Sequence, residues 1–371
     1  KTMVYSPNDF ISHYWTTPDR WPHRNMWLWD SVFHAMGLRH LDPKIAMDTI
    51  LSVFTSQHDD GFIPHCVRPD YQSVVTQPPV LAFGVKKVCE IASSNEFIAK
   101  VYPHLKKYLE WNLTHRDSDG AGLLEWLIEE KENCRSGESG MDNSPRFDSA
   151  IRLDATDFNA FMSLECEIMA EFAEQSGRTE DVAIWRERHD TLNRLINERL
   201  WNEEAGFYFD YDIDVQKQSE VMTSAGFLPL ICGAASKEQA ESLAGHLENP
   251  HTFKTAFPIP SIAVDNELAY SKDMWRGPTW ININWLVALG FKRYGMTPQH
   301  DMIINKTIEA LEEMYMKYGT FFEFYDDRNE VDPPFLLRKM KNIPDTYHQS
   351  FHDYGWSATL YADMIFSTRN Q

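Results

Sequence analysis

The stretch MWLWDSVFHAMGLRHLDP, residues 26–43, decides how the rest of the chain is organised. Its apolar residues fall on every side of a helix, which is the pattern of a helix buried all round. Asp42 follows as a helix N-cap, and Pro43 takes the first position of the next helix. Apolar residues continue at helical spacing after Pro43, so the stretch predicts a helical hairpin whose first, buried helix covers 26–40.

The same helical periodicity recurs along most of the chain. Apolar spacing, capping residues and proline positions mark the predicted boundaries. The further predicted helices cover 79–92, 101–115, 154–177, 179–200, 224–232, 237–247, 274–294, 298–318 and 352–366. Between them, residues 206–213 alternate aromatic and acidic side chains, which predicts a short strand pair or an extended excursion.

Successive helices without a low-complexity linker predict one closed ring of paired helices, in which residues 1–371 form a single domain. No repeat at a fixed period of about 30 to 50 residues occurs, which disfavours a solenoid. In such a ring the inner helices are apolar all round and the outer ones are amphipathic. Residues 26–40 and 274–294 fit the inner role, and residues 179–200 fit the outer role.

Charge and cysteine content narrow the partners of this chain. Its formal net charge of −20 opposes binding to nucleic acid or to an anionic membrane, and favours a small or neutral substrate. The five cysteines are odd in number and form no C-x-x-C pair, which indicates a reducing, cytoplasmic compartment. The start of the sequence also lacks the apolar stretch of a signal peptide. Its 12 Trp, 15 Tyr and 22 Phe leave two roles open, core packing and exposed ring platforms.

The stretch ESGMDNSPRFD, residues 138–148, presents the first candidate for chemistry. It places Asp142 between a glycine and the turn formers Asn143-Ser144-Pro145, which predicts a loop outside any helix. A carboxylate fixed in such a loop suits proton transfer. The alternative is an Asx-turn acid on a surface loop, and these residues alone do not separate the two.

The second candidate is Glu323 in YGTFFEFYDD, residues 318–327. A carboxylate among four aromatic residues is costly to bury unless it is paired or functional, and burial raises the pKa of a carboxyl group. Glu323 is therefore the predicted partner of Asp142. The alternative is a strand in which Glu323 faces solvent while Phe322 and Phe324 face the core.

Two tryptophan-rich stretches are candidates for sugar contacts. In DMWRGPTW, residues 273–280, Trp275 and Trp280 present flat faces for a sugar ring, and Arg276 can bind a hydroxyl or a carboxylate. In WLWD, residues 27–30, an acid lies in an otherwise apolar helix and needs a partner. Core packing of the indoles, and a buried structural hydrogen bond of the acid, are the competing explanations.

Metal and nucleotide chemistry have weak support. His348 and His352 lie at helical spacing but have no glutamate base between them. Asp210, Asp212 and Asp214 begin like a calcium loop, which then fails at its glycine and glutamate positions. No nucleophile elbow, Walker A or dinucleotide fingerprint occurs, so neither a metal nor a cofactor is predicted.

Taken together, these blocks resemble glycoside hydrolase family 63. The resemblance runs from about residue 20 to the C-terminus, and its blocks occur in the family's order. They are WLWDS (27–31), QPP (77–79), SGMDNSPR (139–146), LW (200–201) with GFYFD (206–210), WRGPTW (275–280) and FE (322–323).

The resemblance implies an (α/α)6 barrel with short β excursions, and an inverting exo-glycosidase that removes an α-linked glucose or mannose from a small glycoside. It implies that Asp142 is the general acid and Glu323 the general base. The substrate-binding residues that it implies are Trp27, Trp29, Asp30, Gln77, Trp275, Arg276, Trp280 and Trp356.

The substrate and the oligomeric state stay open. The trehalase block QWDYPNGW is missing, and the compact form is most similar to bacterial enzymes that cleave mannosylglycerate and glucosylglycerate. Two other classes compete with the glycosidase: a catalytically inactive sugar-binding barrel, and an epimerase or lyase on a helical barrel. The last two enzyme types generally use His or Tyr pairs.

Overall fold

The computed structural model describes residues 3–267, 269–339 and 349–369 of the chain. These residues are mainly helical, as predicted, and short antiparallel strands lie in the connections. The helices are α1 (Leu28–Leu41), α2 (Pro43–Phe54), α3 (Leu81–Cys89), α4 (Asn95–His115), α5 (Thr156–Gln175), α6 (Thr179–Leu195), α7 (Pro229–Cys232), α8 (Lys237–Glu248), α9 (Ile281–Arg293), α10 (Thr297–Tyr318) and α11 (Gly355–Arg369).

Within the described residues, the strands form four small antiparallel sheets with the orders β1-β2, β3-β4-β5, β10-β9-β6 and β7-β8. They are β1 (Val4–Tyr5), β2 (Trp15–Thr16), β3 (Met26–Trp27), β4 (Cys66–Arg68), β5 (Tyr71–Gln72), β6 (Leu153–Asp154), β7 (Trp201–Asn202), β8 (Phe207–Tyr208), β9 (Tyr211–Asp212) and β10 (Lys217–Gln218). The predicted strand pair in residues 206–213 therefore corresponds to β8 and β9, which pair with other strands.

The chain divides into two compact units. The first unit comprises Lys1–Asp117, Phe161–Thr191 and Tyr354–Gln371, and the second comprises Ser118–Ala160 and Leu192–Asp353. The prediction that residues 1–371 act as one catalytic domain stays a prediction.

In the first unit, α1 packs against α2, α3 and α11. It is buried almost all round, as its sequence predicts. Gly37 lies so close to α11 that a Cβ there would be 2.3 Å from the Thr359 carbonyl oxygen, so a larger residue would push the two helices apart. Asp42 caps α2 by accepting from the backbone N–H of Lys44 and Ile45, which confirms the predicted hairpin.

The start of α1 differs from the prediction. Met26 and Trp27 form β3 and pair with Val67 and Cys66 of β4, so the helix begins at Leu28. Strand pairing satisfies the backbone groups of these two residues, and the apolar pattern alone does not distinguish it from a first helical turn.

In the second unit, α9 packs against α7 and α10. The predicted helix over 274–294 is wrong in its first third, because α9 begins only at Ile281. Residues 274–280 form an irregular loop in which Met274 and Gly277 have positive φ of 49° and 150°. A Cβ on Gly277 would lie 2.1 Å from the Ser271 carbonyl oxygen, so the loop requires glycine there.

Further boundaries differ from the prediction. The helix predicted over 101–115 begins six residues earlier, at Asn95, where the Ser94 side chain caps it. Asp154 does not start a helix: it lies in β6 and pairs with Tyr211 of β9, and α5 begins at Thr156. Residues 224–232 are interrupted before Pro229 and form a 3-10 turn followed by the short helix α7. Among the described residues, no helix is both long and apolar enough to cross a membrane.

Candidate active site

Asp142 lies in a loop outside helices and strands, as predicted. Gly140 has a φ of 70°, in the left-handed region that favours glycine. The backbone N–H of Ser144 donates to the Met141 carbonyl oxygen over 2.9 Å, and the Ser136 N–H donates to the Asp142 carbonyl oxygen over 3.3 Å. These bonds fix the backbone on both sides of Asp142, whose side chain is 17% exposed.

The carboxylate of Asp142 forms an ion pair with the ammonium group of Lys339. Burial alone would raise the pKa of Asp142, but the charges of Lys339 and Arg338 and a hydrogen bond from the Cys134 thiol hold this pKa below its ordinary value. Burial, reinforced by the charge of Asp142, raises the pKa of Cys134 to about 12. The pKa of Asp142 is thus lowered and that of Lys339 is raised, which keeps Asp142 a carboxylate beside a charged ammonium group.

Glu323 is buried, with 1% of its surface exposed, so the solvent-facing alternative is wrong. Its backbone N–H donates to the Phe351 carbonyl oxygen over 2.8 Å, and Phe322 forms a β-bridge with His352. The carboxylate accepts a hydrogen bond from Arg338 Nε over 2.8 Å. Consecutive cations, Arg338 and Lys339, therefore bind the two candidate carboxylates.

Asn143 connects the Asp142 loop to residues 273–276 of the second unit. Its Oδ1 accepts from the Trp275 N–H over 3.0 Å, and its Nδ2 donates to Asp273 over 3.2 Å. The same Asp273 oxygen accepts from the backbone N–H of Lys339 over 2.7 Å. The residue next to Asp142 thus ties together the loop, the tryptophan-rich segment and the backbone that carries Lys339.

The rings of Trp275 and Trp280 stack on each other, with centroids 3.8 Å apart and planes within 2°. Both indoles are buried, and Trp280 Nε1 donates to the Met274 carbonyl oxygen over 3.0 Å. Arg276 binds both carboxylate oxygens of Asp148, over 2.8 and 2.7 Å. Each tryptophan thus covers one face of the other, and the predicted sugar-binding roles of these residues stay predictions.

A fully buried ion cluster lies four residues after Asp142 in the chain. Arg146 binds Asp157 over 2.6 Å and lies 3.4 Å from Asp210. Trp126 Nε1 also donates to Asp157, over 2.8 Å. This cluster anchors the C-terminal side of the Asp142 loop.

The remaining predicted sugar-binding residues lie in the first unit. Gln77 Oε1 accepts from the backbone N–H of Trp29 over 3.1 Å at the start of α1. The rings of Trp29 and Trp356 meet edge to face with centroids 5.4 Å apart. Asp30 is buried, and Trp27 packs edge to face on a histidine ring. The structure thus brings Trp29, Gln77 and Trp356 together, and their contacts with a sugar stay predictions.

A polar cavity of about 600 Å³ opens in the second unit. Its cationic lining residues are Arg135, Arg276 and Lys339, and the neighbouring Asn143 and Asp273 line it as well. Arg135 donates to two backbone carbonyl oxygens, over 3.1 and 2.8 Å. Lys339 is therefore shared between the cavity and the ion pair with Asp142.

The metal motifs weighed in the sequence have little structural support in the described residues. Asp210 binds Arg146, and Asp214 binds Arg152 over 2.6 Å. His348 lies outside the described residues, and His352 lies 3.3 Å from its neighbour Asp353. The absence of a metal stays a prediction.

Sequence reasoning missed Arg338, Lys339 and Cys134. Arg338 and Lys339 belong to the basic run RKMK, residues 338–341, which is typical of a solvated surface. Cys134 lies eight residues before Asp142 and carries no motif. Only the folded chain shows that all three surround the candidate carboxylates.

Comparison with known proteins identifies a family and relatives of this chain. The family model of the mannosylglycerate hydrolase MGH1-like glycoside hydrolase domain matches residues 23–357. A mannosylglycerate hydrolase of Thermus thermophilus is 28% identical, over 84% of this chain and 91% of the relative. A glucosylglycerate hydrolase of Mycolicibacterium hassiacum is 23% identical, over 86% of this chain and 90% of the relative.

A solved structure supports the fold. The crystal structure of a glycoside hydrolase family 63 mannosylglycerate hydrolase from Thermus thermophilus, in complex with Tris, superposes with a TM-score of 0.80. It is 24% identical and matches 95% of this chain and 96% of its own. The described chain thus has the all-α (α/α)6 barrel fold, and that prediction and the resemblance to family 63 are confirmed.

Proposed function

We propose that this glycoside hydrolase, which belongs to the mannosylglycerate hydrolase MGH1-like family, is an inverting exo-glycosidase. Its substrate would be a small α-glycoside in which mannose or glucose is joined to a carboxylate-bearing aglycone. The names of its relatives, mannosylglycerate and glucosylglycerate hydrolases, support this class of substrate. One family model covers residues 23–357, which supports treating the chain as one catalytic domain.

One feature of the site carries the proposal: two carboxylates of the second unit, Asp142 and Glu323, lie on consecutive cations at Arg338 and Lys339. Inverting glycosidases use two such carboxyl groups, one as acid and one as base. Both carboxylates lie in the sequence blocks of the family, and their counter-ions are adjacent in the chain. Among the described residues of the second unit, no other two carboxylates meet both conditions.

In the proposed reaction, Asp142 donates a proton to the glycosidic oxygen as the bond from that oxygen to the anomeric carbon breaks. Glu323 accepts a proton from a water molecule, which attacks the anomeric carbon from the opposite face of the ring. The products are a sugar of inverted anomeric configuration and the free aglycone. Asp142 then regains a proton and Glu323 loses one before the next turnover.

The remaining predictions fit this reaction. The residues proposed to contact the substrate are Trp27, Trp29, Asp30, Gln77, Trp275, Arg276, Trp280 and Trp356. The net charge of −20 supports a small carbohydrate as partner, rather than nucleic acid or a membrane. The five cysteines without a C-x-x-C pair support a cytoplasmic location.

Proton NMR of the sugar first released from α-mannosylglycerate and α-glucosylglycerate tests the proposal. We expect the β-anomer to appear before mutarotation, and we expect Asp142→Asn and Glu323→Gln each to lower kcat by about 10²- to 10⁴-fold. Asp214→Asn and Glu220→Gln make the same changes on exposed acids and should leave kcat unchanged. Release of the α-anomer, or near wild-type turnover in either site variant, would contradict the proposed mechanism.

A further inference from the structure

Lys339 holds the proposed acid in the wrong protonation state for its task. A general acid must carry a proton when the glycosidic bond breaks. In this structure Asp142 is ion-paired with Lys339, and Arg338 and Cys134 also face it. Productive binding must therefore weaken the contact between Lys339 and Asp142.

The side chain of Lys339 is placed to change partners. It is 23% exposed and lines the cavity of about 600 Å³ in addition to contacting Asp142. A lysine ammonium is a point charge on a flexible stem, so it re-pairs without a change in the backbone. The Lys339 backbone stays anchored meanwhile, because its N–H donates to Asp273 over 2.7 Å.

The cavity lining holds three cations, Arg135, Arg276 and Lys339, and four acids, Glu130, Glu132, Asp148 and Asp273, so an anionic group fits only beside Arg135 and Lys339. Arg276, one of its cations, is already neutralised by two bonds to Asp148. Arg135 donates only to backbone carbonyl oxygens among the described residues, so its charge has no carboxylate partner there. Glu130 and Glu132 are exposed, so solvent and salt screen their charges.

We propose that Lys339 selects substrates with an anionic aglycone, because the aglycone carboxylate takes Lys339 from Asp142 and so lets Asp142 accept the proton it must deliver. This inference rests on the proposed function. Asp142 takes that proton from solvent when Lys339 leaves, donates it to the glycosidic oxygen, and pairs with Lys339 again after the anionic product departs. A neutral aglycone cannot pull Lys339 away, so it leaves Asp142 ionised.

Matched substrates separate this role from simple binding. The probes are α-mannosylglycerate and α-mannosylglycerol, in which a hydroxymethyl group replaces the carboxylate. We expect wild-type kcat/KM to favour the anionic substrate by about tenfold to hundredfold, as for a hydrogen bond to a charged group. In Lys339→Met this ratio should fall to about one, because neither substrate then has to displace an ammonium group, and Lys339→Arg should restore the preference.

The pH profiles give a second readout. The alkaline limb of kcat/KM reports the acid of the free enzyme, and that of kcat reports the acid of the substrate complex. With the anionic substrate, the wild-type alkaline limb should lie at higher pH in kcat than in kcat/KM. In Lys339→Met the two limbs should coincide, because no ammonium group remains to be displaced.

Lys237→Met, on a side chain that is 83% exposed, is the matched control and should keep the wild-type ratio and profiles. Far-UV circular dichroism confirms that each variant is folded. The inference is overturned if Lys339→Met lowers turnover of both substrates equally and the alkaline limbs of its kcat and kcat/KM profiles stay at different pH values. Lys339 would then only support the structure. If the wild type hydrolyses neither these two mannosides nor the corresponding glucosides, the proposed function itself fails.

Discussion

Replacing Arg146 by methionine should destabilise the protein by about 3–5 kcal/mol, because breaking a buried ion pair leaves uncompensated buried charge. Arg146 is fully buried, as are its partners Asp157 and Asp210 at 2.6 and 3.4 Å. Methionine fills part of the space of the arginine stem but neutralises neither carboxylate. The loss is comparable to the lower end of a typical domain's total stability, about 5 kcal/mol.

A matched variant isolates the effect of burial. Arg194 pairs with Glu198 over 2.7 Å in the same unit, and both side chains are 57% exposed. Because solvent screens this pair, Arg194→Met should cost at most about 0.5 kcal/mol. Unfolding in urea, followed by tryptophan fluorescence, compares the two variants with the wild type.

The pH dependence gives the sign of the effect. Burial raises the pKa of Asp210, Arg146 opposes this rise, and the charge of Asp157 adds to it. A group whose pKa is higher in the folded state favours folding at low pH, and this contribution is lost as pH rises through the folded pKa. Removing Arg146 raises the pKa of Asp210 further, so the loss in Arg146→Met should be larger at pH 8 than at pH 5.

The outcome that would refute this reasoning is a destabilisation no larger than that of Arg194→Met, or one that does not change between pH 5 and pH 8. Either result would mean that the carboxylates of the cluster do not depend on Arg146 for their charge. Salt offers a further check, because only the exposed pair is strongly screened.

Two other variants test the supports of the site. Asn143→Ala leaves the buried Trp275 N–H without its acceptor, so it should destabilise the protein by about 1–3 kcal/mol and lower kcat. Urea unfolding measures the stability and steady-state kinetics measure kcat. An unchanged kcat would show that this tether does not position Asp142. Glu165 accepts from the N–H groups of Ala82 and Phe83 over 2.7 Å each, so Glu165→Gln, which turns one acceptor into a donor, should cost about 1–3 kcal/mol. Burial raises the pKa of Glu165 from 4.5 to about 8. Glu165 therefore stabilises the folded protein fully below pH 4.5, and this stabilisation is lost as the pH rises to about 8. The cost of Glu165→Gln should therefore be greater at pH 5 than at pH 8, and a cost independent of pH would contradict this sign.

The sequence predicts most of the helices but not all of their starts. The hairpin of α1 and α2 is predicted because local signals agree there: a buried pattern, an N-cap and a proline at the first position. At Asp154 the local capping pattern loses to pairing with Tyr211, which lies far along the chain. At residues 274–280 the apolar pattern continues into α9, and only Gly277-Pro278 signals a loop.

The candidate site likewise contains residues that the sequence predicts and residues that it does not predict. Asp142 and Glu323 are predictable because each stands out chemically from its neighbours, one among turn formers and one among aromatic residues. Arg338 and Lys339 are not, since a basic run is usually a solvated surface and their partners are distant in sequence. Their roles depend on tertiary contacts, which no spacing rule supplies.

The supports of Asp142 restrict how its protonation can change. The Asn143 tether and the Arg146 cluster hold the C-terminal side of its loop through buried contacts, whereas Lys339 reaches Asp142 with a partly exposed side chain. A change of counter-ion therefore costs less than a movement of the loop. It follows that variants of Asn143 or Arg146 should lower turnover of anionic and neutral glycosides alike, and that of these three residues Lys339 alone should alter the ratio between them.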